Sequence, residues 1–66
     1  MSQNTTILNH LKEKPITSFE AFNRYRITRL AARIKNLRDE GHEIITEIRN
    51  SDNARFAEYI LLKGVN

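Results

Sequence analysis

The chain contains no cysteine, a single proline and only two glycines among its 66 residues. Lacking cysteine, it can form no disulfide, thiolate zinc site or cysteine nucleophile, and the composition fits a reducing cytoplasm. Stability must then come from packing. At 66 residues a single core only just outweighs chain entropy, so one domain spanning 1–66 is expected, with residues 1–5 frayed. No run approaches the ~18 apolar residues of a membrane span. The opening stretch MSQNTT is uncharged, unlike the basic-then-apolar start of a signal peptide. The expectation is a soluble, unexported protein. Also missing are a glycine-rich phosphate loop, a nucleophile elbow and a pair of carboxylates at catalytic or ligand spacing. His10 and His42, the only histidines, fall on different elements. The expectation is therefore no enzyme, no metal site, no cofactor and no small-molecule substrate.

What is present is a modest excess of positive charge. Eleven Lys and Arg stand against eight Asp and Glu, a net charge of +3, which favours an anionic partner without demanding one. Pro15, Gly41, the cluster NSDN and Gly64 punctuate the chain. Thr5 or Thr6 is expected to cap a first helix with Ile7, Leu8 and Leu11 on one side. Pro15 ends it, pushing Lys14 out of the helical region so that the segment PIT runs extended. Thr17 or Ser18 caps a second helix, Thr17 and Glu20 having the spacing of a capping box. Phe19 and Phe22, one turn apart, are expected to face inward.

The segment RYRI breaks that helix without a glycine, and Thr28 offers the next cap. A third helix then runs from about Arg29 to Glu40, with Leu30, Ile34 and Leu37 at the helical repeat, Ala31 at the edge of the stripe, and Gly41 as terminator. His42, just beyond, is expected to interact with the last carbonyls of this helix. From His42 the period changes. HEIITEI alternates and is rich in β-branched residues, RNSDNAR supplies turn formers, and FAEYILL returns as a second strand. Its inward face is open between Ala57, Tyr59, Leu61 and Phe56, Ile60, Leu62. The predicted fold class is α+β, three helices followed by a two-stranded β-hairpin, which is the order of a small winged helix-turn-helix with the hairpin loop as wing.

The stretch ITSFEAFNRYRITRLAARIKNLRDEGHEI, followed by RFAEYILL, resembles the small helix-turn-helix proteins common in bacteriophages and prophages. Leu30, Ala32, Arg33, Ile34, Leu37, Arg38, Gly41 and His42 match that group's L-x-A-R-I-x-x-L-R-x-x-G-H run in register, and the likeness covers about residues 15–62. The resemblance implies a DNA-binding regulator of phage type, working in the cytoplasm of a bacterial host. It implies neither an operator nor a direction of regulation.

With Leu30, Ile34 and Leu37 inward, a step of about 100° per residue gathers Arg29, Ala32, Arg33 and Asn36 on the other side. Arginine can donate twice to guanine, asparagine can pair with adenine, and alanine allows close approach or touches a thymine methyl. Thr28, at the amino end, can donate to a phosphate. The plainer reading is a solvated helix face with no role beyond solubility, and Asp39 and Glu40 support it locally. Those acids lie at the far end, however, whereas groove contacts usually come from the amino-terminal half. Arg49, Asn50, Ser51, Asn53 and Arg55 cluster at the hairpin tip, suited to a minor groove or backbone, with Asp52 as a counter-signal. Lys12, Lys14, Arg24 and Arg26 are weaker candidates for backbone contacts.

The sequence thus predicts a double-stranded DNA binder with helix 29–40 in the major groove and the 49–55 wing beside it. One such module offers roughly 600–1,000 Å² of interface, so self-association on adjacent DNA sites is expected. Two alternatives stand beside a transcriptional regulator: an excisionase-like architectural factor, and a winged-helix module that docks on protein and never touches DNA.

Overall fold

A computed structural model describes residues 2–52 and 54–63. The elements are α1 (Gln3–Glu13), β1 (Ile16–Thr17), α2 (Ser18–Tyr25), α3 (Leu30–Asp39), β2 (Glu43–Ser51) and β3 (Ala54–Lys63). The fold is α+β, as expected, but the sheet has three antiparallel strands in the order β1-β3-β2, where the sequence suggested two. The addition comes from the residues after Pro15. Forced extended, Ile16 lies opposite Tyr59 and Thr17 opposite Glu58, and the Ile16 side chain is fully buried. A strand of two residues shows no alternation by which a sequence could reveal it.

Helix α1 begins earlier than expected. Ser2 caps it, its hydroxyl accepting from the Thr5 amide at 3.1 Å, so Thr5 and Thr6 lie inside the helix and residues 3–5 form its first turn. Serine is as good a cap as threonine and comes first. At the other end Lys14 is extended (φ −163°, ψ 162°), as the residue before a proline must be. Thr17 caps α2, accepting from the Glu20 amide at 3.2 Å. Only that half of the capping box forms, because the Glu20 carboxylate turns instead toward Lys14 Nζ at 3.9 Å.

Phe19 and Phe22 do not face inward: they are 74% and 46% exposed. The buried position of α2 is Ala21, with Tyr25 one turn on packed against the core. A helical step of about 100° then places Phe19 nearly opposite Ala21 and Phe22 at the side. The small alanine lets this short helix lie close to its neighbours. His10, buried on α1, ties the helices together: its Nε2–H donates to the Pro15 carbonyl at 3.2 Å, leaving Nδ1 to accept from the Tyr25 hydroxyl at 2.8 Å.

The turn between α2 and α3 needs no glycine because Arg26 itself takes the left-handed conformation (φ 58°, ψ 30°). Its amide bonds the Phe22 carbonyl at 2.9 Å, the Ile27 amide bonds that of Ala21 at 3.2 Å, and the Ile27 side chain is buried. This turn aims α3 across α1. Leu30, Ile34 and Leu37 are buried as the periodicity requires, joining Ile7, Leu11, Ile16, Ala21, Ile27 and Ile44 in one core. Thr28 is not the cap. Arg29 takes that place without a side-chain bond, since the backbone bonds of the turn already set where the helix starts.

Gly41 ends the helix at φ 106°, with its amide on the Arg38 carbonyl at 3.0 Å. His42 does satisfy a last-turn carbonyl, that of Leu37, but through its backbone N–H at 3.1 Å; its ring is buried, with Nε2 4.0 Å from a Glu40 carboxylate oxygen. A side chain at position 41 would collide with the backbone at this φ. Gly41→Ala is expected to cost about 1–2 kcal/mol, read as a lower urea midpoint with unchanged slope.

In the hairpin, Ile44 stands opposite Leu61, Thr46 opposite Tyr59 and Ile48 opposite Ala57. Ile44 is buried and Tyr59 and Leu61 pack on the core, so Ala57, Tyr59 and Leu61 form the inward face. Ile45, Phe56 and Leu62 are exposed on the outer face, beside half-buried Ile60. Ser51 pairs with Ala54, and Asp52 begins the connection at φ 46°, a conformation that a short polar side chain tolerates.

Candidate nucleic-acid interface

Along α3 the side chains sort by their angle from the core stripe. Arg29 is exposed, whereas Ala32, Arg33 and Asn36 are half-buried on one flank. Ala31 and Lys35, on the other flank, are exposed. The sequence-predicted set thus runs from Ala32, opposite the core stripe, along one flank of the outward face. Ala31 and Lys35 were missed because they project sideways from the stripe of Leu30, Ile34 and Leu37, on the flank opposite Arg33 and Asn36. Arg33 lies next to the core stripe, so its stem packs along the helix, and its Nε is sealed from solvent without a hydrogen-bond partner. Thr28 is exposed beside the first turn.

Ion pairing divides the cations. Lys35 is held by Asp39 at 3.2 Å, one helical turn away. Arg38 reaches off the helix, its Nε donating to the Ile44 carbonyl at 2.9 Å and a terminal nitrogen to Thr46 Oγ1 at 3.0 Å, which ties α3 to β2. Arg24, Arg26, Arg29 and Arg33 form no ion pair among the described residues; the Arg26 guanidinium lies over the Phe22 ring, 5.6 Å from its centroid. Among the described residues these four uncompensated arginines lie from the end of α2 through the turn to the amino-terminal half of α3, while Lys12, Arg38 and Arg55 lack a carboxylate partner elsewhere. The acids on this helix are at its far end, where they meet Lys35 and His42.

The hairpin tip is less uniformly basic than its composition suggests. Arg49 lies on the outer face of the sheet, bound to Glu47 at 2.9 Å and Glu58 at 3.0 Å. Asn50 and Arg55, directly opposite one another, share the face that carries the core further down the sheet, and both are exposed. Ser51 is exposed on the outer face, and Asn53 lies outside the described residues. Arg55 is thus the cation of this tip without an ion pair among the described residues. Beside it, Phe19 and Phe56 flank an apolar groove of about 730 Å³ between the start of α2 and β3.

Three helices, the second and third joined by a tight turn, followed by a hairpin on a three-stranded sheet, form the architecture of a known domain type. A family model described as a winged helix-turn-helix domain matches residues 2–64. The chain belongs to that family. Searches of curated proteins and of solved structures found no match. The β2–β3 hairpin is the wing of this winged helix-turn-helix, and membership suggests DNA as the partner. No helix among the described residues is long and apolar enough to cross a membrane.

Proposed function

We propose that this winged helix-turn-helix protein is a sequence-selective binder of double-stranded DNA and a transcriptional regulator of phage or prophage type, acting in the cytoplasm of a bacterial host. The observation that carries the reading is the division of charge on α3. Its amino-terminal half presents Arg29 and Arg33 without carboxylate partners among the described residues, while its acids are confined to the other end. That half is the part of a recognition helix that meets base edges. In this reading Arg29, Ala32, Arg33 and Asn36 read the groove, joined by Ala31 and Lys35. Thr28 and the free amides of the first turn hold a phosphate, and Asn50, Ser51, Asn53 and Arg55 reach the neighbouring backbone or minor groove. Arg49 contributes least, because leaving its two glutamates would undo two ion pairs.

Selection from a random duplex library tests the reading. The expected result is a short enriched motif whose binding falls steeply with salt, as counterion release requires. An undetectable or salt-insensitive interaction would overturn it. Footprints on neighbouring genomic DNA then separate a regulator, which covers a promoter, from an excisionase-like factor, which covers an array beside an attachment site. The groove between Phe19 and Phe56 favours a second reading, docking on another protein. In that case Arg29 and Arg33 substitutions leave DNA retention unchanged, and Phe19 substitution abolishes the complex.

A further inference from the structure

Among the described residues, the order β1-β3-β2 leaves one side of β2 without a neighbouring strand. An exposed strand edge of this kind is a template for pairing unless something covers it. Here α3 covers only its beginning, through the bonds from Arg38 to the Ile44 carbonyl and the Thr46 hydroxyl. In an antiparallel strand the N–H and C=O of one residue point to the same side and alternate from one residue to the next. Since the Ile44 carbonyl turns to Arg38, the backbone groups of Thr46, Ile48 and Asn50 turn to that side as well. Ile48, in the middle of this stretch, is 50% exposed.

We infer that a second copy of this chain pairs with β2 along this edge, antiparallel, about a two-fold axis at Ile48, so that the two sheets join into one. The charges select both the occupant and the register. Centred on Glu47, the pairing sets Glu47 against Glu47 of the second copy; centred on Arg49, it sets two arginines together. Centred on Ile48, it sets each Glu47 opposite Arg49 of the other copy, twice, with Ile48 against Ile48 and Thr46 against Asn50. Opposite charges directly across strands stabilise pairing and like charges destabilise it. Glu47 and Arg49 already share the outer face, where they meet at 2.9 Å within one chain, so the pair can be exchanged between copies without turning either side chain over. The same register makes no use of the Ile44 carbonyl that Arg38 occupies. About seven residues from each copy take part, a contact roughly 24 Å long. An interface this small gives weak, concentration-dependent pairing.

The inference uses no DNA contact, and its test is carried out without DNA, so it stands or falls apart from the DNA-binding reading. Sedimentation velocity of the full chain across a concentration series is expected to show a reversible dimer. Glu47→Arg and Arg49→Glu, each checked for an unchanged fold by circular dichroism, weaken it about tenfold or more, because each now meets a like charge. An equimolar mixture of the two variants restores pairing, since the reversed residues then face opposite charges. Ile48→Cys, in a chain with no other thiol, forms a disulfide-linked dimer on mild oxidation, because hydrogen-bonded strand partners are about 5.5 Å apart at Cα, within disulfide reach. Ile45→Cys does not. A monomer up to the solubility limit, single variants that associate like the parent with no gain on mixing, or equal cross-linking at positions 45 and 48 would each overturn the inference.

Discussion

Replacing Ile34 with alanine is expected to remove about 2–5 kcal/mol of stability and leave most molecules unfolded at 37 °C. Ile34 is among the largest fully buried side chains, on the stripe by which α3 joins the core. The loss combines the transfer free energy of the deleted methylenes with the cavity left behind. A core in a chain this short rarely supplies more than about 3–5 kcal/mol in total, so one such deletion is comparable with the whole. The matching change at Ile48, half-exposed on the hairpin, is expected to cost less than about 1 kcal/mol. Urea unfolding of the two variants side by side measures the contrast; equal midpoints would mean that the core is not where the burial pattern puts it.

Arg33→Ala is expected to weaken specific DNA binding by about 1–3 kcal/mol and to relax selectivity at one position of the motif, if its guanidinium reads a base. Arg29→Ala tests the alternative role at the helix start. A phosphate contact there lowers affinity similarly for all sequences and reduces the slope of log K against log salt by about 0.9. Fluorescence anisotropy titrations over a salt series separate the two outcomes. Arg49→Ala serves as the internal comparison: with its guanidinium held by Glu47 and Glu58, a change in affinity well below that of Arg33→Ala is expected. Arg38 is unsuited to such a test, because removing it also cuts the tie between α3 and β2.

Features governed by neighbouring residues along the chain were legible in the sequence. Pro15 ends α1, Thr17 caps α2, Gly41 ends α3 in a left-handed conformation, and the Leu30, Ile34, Leu37 stripe is buried, because each depends on sterics or periodicity within a turn or two. What depends on distant partners was not. The inward burial expected of Phe19 and Phe22 failed because α2 packs through the face of Ala21 and Tyr25, which neither phenylalanine shares. Both alternations of β3 are apolar, so only its register against β2, with Ile44 opposite Leu61, decides which enters the core. The same limit applied to charge. Composition placed two arginines at the hairpin tip, but the pairing of Arg49 with Glu58 exists only once two strands are aligned.

The hairpin continues well past the last side chain that reaches the core. Ile44, Tyr59 and Leu61 anchor its base, whereas residues 49–51 and 54–56 are exposed. From Ile48 outward the strands are held by their own ladder and by Arg49, with little apolar contact beneath them. Separation of the two strands therefore starts at the tip and runs inward until it meets the Ile44–Leu61 pair. A partner that binds this exposed tip must also order it, and that ordering entropy subtracts from whatever affinity its contacts supply.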